Sequence, residues 1–232
     1  KRMYEAADKE HEEAQMALEV AEEKYQVIDN VDGVSAIIDA MKRNSNKYDI
    51  LKEGCYFLQN ILCNPDISLQ TIDLVVTKDI SLTIIDSIGS SSDDDFEYLG
   101  AACGVLANLV IDETARKQIA GYETSVATLL SVLGSSKENV DACKCSMNAL
   151  RLLATSSDDM KTQIFQLDGI NIVMNLLKPP NHEALVDSGL GLFSELAKEN
   201  AKLLFDAGGY EFIKTEMTIH ANLPQVQAKA CQ

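Results

Sequence analysis

Three histidines, six cysteines and a run of three serines followed by three aspartates are the side chains here from which a reactive site could be assembled. His11, His182 and His220 stand far apart, and none has a partner at metal-ligand spacing, so neither a zinc centre nor a histidine base is indicated. Cys143 and Cys145 flank Lys144, but thiols two residues apart on a helix point roughly 200° from one another, which suits packing. Cys55, Cys63, Cys103 and Cys231 also fall in helix-like patterns, without the loop-rich setting of a disulfide framework, and a reducing, cytoplasmic compartment is expected. No GxxxxGK[ST], GxGxxG or GxSxG stretch occurs. Ser90, Ser91 and Ser92 each have Asp three residues later, a pattern acidophilic kinases favour, although hydroxyl caps before an acidic helix start account for the same residues. These side chains point to no enzyme, no cofactor and no metal.

The elements that must position any site are helical. Of 232 residues 46% are apolar and 6% aromatic, with no Trp, four Pro and twelve Gly, a composition thin for a β-sandwich and ordinary for helices. Lys and Arg number 20 against 36 Asp and Glu, a formal net charge of −16, which argues against nucleic acid and anionic membrane surfaces as partners. No apolar run approaches a membrane span, so no direct membrane insertion is expected. A charged N-terminus beginning at Lys1 reads as part of a longer protein.

Self-similarity organises the chain. One apolar helix recurs as GVSAIIDAM (33–41), ISLTIIDSI (80–88), SVATLLSVL (125–133), GINIVMNLL (169–177) and, more loosely, GYEFIKTEM (209–217). A second, richer in small residues, recurs as GCYFLQNIL (54–62), ACGVLANLV (102–110), MNALRLLA (147–154) and GLFSELA (191–197). Anchors within a unit, Met41 to Leu58, Ile88 to Leu106, Leu133 to Leu150 and Leu177 to Phe193, lie 17, 18, 17 and 16 residues apart. From each second helix to the next unit the gap is 30, 27, 27 and 24 residues, room for a short third helix such as ETARKQIAG or DDMKTQIFQLDG. An irregular bundle keeps no such spacing. Ser156 and Ser157 before Asp158 and Asp159 supply a hydroxyl cap and an acidic first turn, and Ser90 to Ser92 before Asp93 to Asp95 are expected to do the same. Gly33, Gly121, Gly169, Gly208 and Gly209 fall near the junction of short helix and next helix, where positive φ is expected. Pro65, Pro179 and Pro180 fall in loops, and Pro224 at a first helical turn.

Units of three helices with Leu58-Gln59-Asn60-Ile61 and Leu106-Ala107-Asn108-Leu109 in the last helix resemble the armadillo repeat, with weaker echoes at Leu150-Arg151-Leu152-Leu153 and Phe193-Ser194-Glu195-Leu196. The resemblance covers about residues 22–232. It implies an all-α fold, a right-handed superhelical solenoid of four to five three-helix repeats over 31–232, the last truncated. It also implies a binding scaffold or adaptor whose concave face holds an extended peptide or helix of a partner protein. By the same resemblance Asn60 and Asn108 line the groove and pair with a peptide backbone, with a role at helix ends as the alternative. Tyr56, Gly104, Asn148 and Gly191 stand one turn before these positions, and Lys52, Lys144, Arg151 and Lys198 mix with Asp187 and Glu195 around them. Leu152 and Glu195 stand where Asn is expected, and the Trp and Asn ladder with which importin-alpha clamps lysine-rich signals has no Trp here. A basic partner is suggested by net charge and not by the groove.

The first thirty residues differ. Tyr4, Ala7, His11, Ala14, Leu18, Ala21, Tyr25 and Ile28 are spaced alternately by 3 and 4, a heptad seam on a long Glu- and Ala-rich helix. Three Ala and His11 make it a weak self-association surface, and covering the open end of the first repeat is an equally open use. The competing overall reading is a structural rod in a cytoskeletal or trafficking assembly, contacting partners through this helix and the convex faces.

Overall fold

A computed structural model describes residues 31–64, 67, 69–91, 96–135, 137–178 and 182–231. The N-terminal seam, Pro65, Pro179, Pro180, Ser92 and the Asp93–Asp95 run lie outside the described residues. Every regular element among those described is a helix. In chain order they are α1 (Val31–Arg43), α2 (Tyr48–Leu62), α3 (Leu69–Thr77), α4 (Ile80–Ser90), α5 (Phe96–Leu109), α6 (Glu113–Ala120) and α7 (Ser125–Ser135). There follow α8 (Val140–Ala154), α9 (Asp158–Gln166), α10 (Gly169–Leu176), α11 (His182–Asp206), α12 (Gly209–Ile219) and α13 (Pro224–Ala230). Within α11 the backbone leaves helical geometry at Asn200 (φ −123°, ψ 31°), so a long helix and the short helix of the next unit meet there across a kink.

The order short, second, third helix repeats, and equivalent helices stack. Third helices pack in the series α2, α5, α8, first part of α11, α13, while second helices pack as α1, α4, α7, α10, α12. The anchors explain why. Met41, Ile88, Leu133 and Leu177 on one ladder, and Leu58, Leu106, Leu150 and Phe193 on the other, are all buried in one apolar cluster running from Val34 to Leu204. A single unit has apolar residues on more than one face and can bury them only against its neighbours. In α5, third helices on both sides leave Ala101, Ala102, Cys103, Gly104, Val105 and Leu106 all buried, which is why its sequence lacks a clean polar stripe. Met217 is only half-buried, in keeping with the looser fifth copy.

Side-chain caps set several helix starts. The Ala115, Ala142 and Met160 N–H groups donate to Asp112 Oδ1 (2.9 Å), Asn139 Oδ1 (3.0 Å) and Ser157 Oγ (3.3 Å), the last as the Ser-Asp pattern predicts. Pro224 opens α13 as expected. Two expectations need correction. Ser90 closes α4 and Ser91 is its C-cap, and both hydroxyls donate backward, Ser90 to the Asp86 carbonyl and Ser91 to the Ile88 carbonyl, so neither caps the following helix. At the short-to-second-helix junction the left-handed residue is Asp79 (φ 48°), Asp168 (φ 60°) or Gly208 (φ 84°), whereas Gly121 is right-handed. Asp tolerates this conformation because its short polar side chain bonds locally. Gly169 is needed for a different reason: a Cβ there would meet the Ile164 carbonyl oxygen at 2.7 Å.

Candidate functional site

Along the stacked third helices runs a strip of half-buried and exposed side chains that no other described helix covers. Across α2, α5 and the start of α8 this strip opens into a groove of about 970 Å³. Tyr56 and Gln59 contribute from α2, Glu97, Gly100 and Ala101 from α5, and Lys144, Cys145 and Asn148 from α8, with Glu138 and Asp141 at one edge. Further along, Arg151 from α8, Ser194, Glu195 and Lys198 from α11 and Lys229 from α13 surround a second hollow of about 440 Å³.

Helix spacing produces this lining. Positions four apart project one above the other, so Lys52 and Tyr56, and Lys144 and Asn148, form two parallel columns. Between them α5 presents Gly100 and Gly104, whose missing side chains lower the floor. A Cβ on Gly104 would lie 2.6 Å from the Gln59 amide nitrogen, so this glycine sets where the Gln59 side chain lies.

Charge in the strip is largely committed to ion pairs, two between helices and one within α11. Lys52 Nζ donates to Glu97 Oε2 (3.0 Å), and that bond raises the Lys52 pKa. Lys198 Nζ donates to the mostly buried Glu195 (2.6 Å), and Lys229 Nζ to Asp187. Among the described residues Lys144 and Arg151 have no ion-pair partner, and each stands half-exposed in its hollow. The first hollow thus holds Lys144 beside two acids, Glu138 and Asp141, and the second holds Arg151 uncompensated. That arrangement gives hydrogen-bonding and charged contacts to a chain laid across the helices, and it does not bring a nucleophile to a base.

The structure brings together Tyr56, Lys144 and Asn148 in one hollow and Arg151 and Glu195 in the other, with Lys52 and Asp187 fixed at the rims. Asn60 is exposed on α2 and lines neither hollow. Asn108 donates from Nδ2 to Cys63 Sγ (3.1 Å), a tie between α5 and the end of α2. Sequence reasoning missed Gln59, Glu97, Glu138 and Asp141. The last two precede or open α8, ahead of the motif-bearing half of the helix. Gln59 adjoins Asn60 and could have been found by projecting the whole α2 face. Three thiols are buried packing groups: burial pushes Cys55 and Cys103 up to about 12 and Cys143 to about 11.

No protein-family model matches the chain. It is 27% identical over 108 residues, 45% of its length, to a catenin beta of Tripneustes gratilla. It is also 27% identical over 148 residues, 61% of its length, to a junction plakoglobin of Xenopus laevis. The matches span only 13% and 20% of these relatives. A designed armadillo repeat protein in complex with the peptide (KR)4 superposes with a TM-score of 0.70 at 17% identity, covering 93% of this chain and 91% of its own. A second designed armadillo repeat protein superposes at 0.69 with 15% identity over 86% of this chain and 79% of its own. The chain has the fold of an armadillo-repeat solenoid. Its third helices stack as one ladder, and the two hollows lie along their shared face. Among the described residues no helix of the solenoid is long and apolar enough to cross a membrane.

Proposed function

We propose that this armadillo solenoid is a non-enzymatic interaction scaffold that holds an extended segment of a partner protein along the third-helix face. The observation that carries this reading is the 970 Å³ groove crossing α2, α5 and α8, whose walls carry an aromatic side chain (Tyr56), two amides (Gln59, Asn148) and a cation (Lys144) that has no ion-pair partner among the described residues. Amides both donate and accept, which matches an extended backbone, and a Tyr ring supplies contact area with little rotamer entropy to lose. The designed neighbour that holds (KR)4 supports a peptide as the kind of occupant. Lys144 beside Glu138 and Asp141, with Arg151 further along, favours a segment of mixed charge, basic over the first hollow and acidic over the second. Six free thiols, three of them buried, favour a reducing compartment such as the cytoplasm.

Selection of a random peptide library on the immobilised chain, followed by titration of enriched peptides against Tyr56→Ala/Asn148→Ala, tests this. Binding should weaken by about tenfold or more, as loss of a central aromatic contact does, with an unchanged thermal melt. Enriched peptides that bind the double variant as tightly as the parent would place the contact elsewhere and overturn the reading.

A further inference from the structure

The N-terminal end of the stack carries an apolar face whose counterparts deeper in the solenoid are all covered. A hollow of about 450 Å³ lies there between α1 and α2, with Ile37, Ala40 and Met41 on one side and Ile50, Gly54 and Phe57 on the other. On the repeat anchors, Ile37 corresponds to Ile84 and Leu129, and Ala40 to Ser87 and Val132, all of which are buried. Ile50 corresponds to Tyr98 and Ala142, and Phe57 to Val105 and Ala149, and these too are buried. Tyr98 shows what does the covering: its ring lies 5.4 Å from that of Tyr48, on the preceding third helix. In the first unit, by contrast, Ile50 is 37% exposed and Ile37, Ala40 and Phe57 are only half-buried.

We infer that residues 1–30 of this chain cover this face. They run directly into Val31, the first residue of α1, so they start at the open end. Their apolar seam, with Tyr4, Leu18, Tyr25 and Ile28 as its largest apolar members, has the spacing of a helix that packs on one side. As a helix, thirty residues span about 45 Å, ample to reach back over α1 and α2. Capping of an end repeat by a segment with a polar outer side is what a stack of this kind requires, and the Glu-rich remainder of 1–30 supplies that side. Asp49 and Glu53 stand on the open face, and the segment itself has nine acids against four bases. The cover is therefore held by apolar contact against charge repulsion, and it tightens as salt is added.

The test is hydrogen exchange on the full chain and on Leu18→Asp/Tyr25→Asp, paired with sedimentation of both. The expected result is a monomeric parent, with exchange of the α1 and α2 amides at least about tenfold faster in the variant and that of α7 and α8 unchanged. Unaltered exchange in α1 and α2 overturns the inference. So does a parent dimer that the substitutions dissociate, because the seam then engages a second copy. A variant that loses protection through α7 and α8 has unfolded, and Leu18→Ser then takes its place in the same assay, with the same two overturning results.

Discussion

Single residues in this solenoid are read best through what stands beside their Cβ. Gly104 and Gly169 look alike in sequence and differ in consequence. At Gly169 the Ile164 carbonyl oxygen (2.7 Å) and Cγ2 (2.8 Å) block a side chain, and backbone cannot swing away. Gly169→Ala should destabilise by about 1–3 kcal/mol, the usual range for forced overpacking. At Gly104 the obstacle is the end of the half-exposed Gln59 side chain, whose χ torsions can turn it aside. Gly104→Ala also removes a helix-interior glycine, worth about 1 kcal/mol, so it should melt no lower than the parent while weakening any peptide that contacts Gln59. Urea denaturation of the two variants checks the contrast, and equal destabilisation would contradict it. The sequence offered Gly104 as a groove position but not why a glycine stands there, because the neighbour that decides it, Gln59, lies 45 residues away on another helix.

Among the elements, the long helices are where sequence was most informative. The two long helices of each unit were legible because apolar anchors repeat at near-constant spacing, and a repeated signal is read several times over. Junction chemistry was less so: Asp79 and Asp168 hold the left-handed turn that glycine was expected to hold, since several residue types satisfy that geometry. The α3–α4 junction is tied back to α1 by Lys78 Nζ, which donates to Asp39 Oδ1 (2.6 Å), and by Lys42, which donates to the Lys78 carbonyl. The Lys78 contact holds the Asp39 carboxyl below its usual range. A lowered carboxylate pKa contributes stability that is present above the unfolded value near 3.9 and is lost as pH falls through the folded value. Asp39→Asn should therefore melt below the parent at pH 7, with the gap closing as pH drops below about 4. A gap as wide at pH 3 as at pH 7 would show that the pair is not its origin.

The whole molecule behaves as neighbour-coupled units. Leu106 sits on the central third helix, which packs against third helices on both sides, and Leu106→Ala should cost about 2–5 kcal/mol. Its amide exchange should accelerate through α2 and α8 as well as α5. Phe193, edge-on to Phe212 at 6.0 Å, lies in the fourth unit, and Phe193→Ala should affect chiefly α11, α12 and α13. Equal, chain-wide loss of protection in both variants would argue for one indivisible fold. The proposed face was only partly legible at this scale: Tyr56, Lys144 and Asn148 share one hollow as the helix columns imply, while Glu138 and Asp141 arrive from a helix start that no motif marks. The measurement closest to the central claim is a hydrogen-exchange footprint of the solenoid with a library-selected peptide bound. Protection concentrated on α2, α5 and α8 is the predicted result. Protection confined to α1, α4 and α7, the second-helix ladder, would contradict the account and make those helices the working surface.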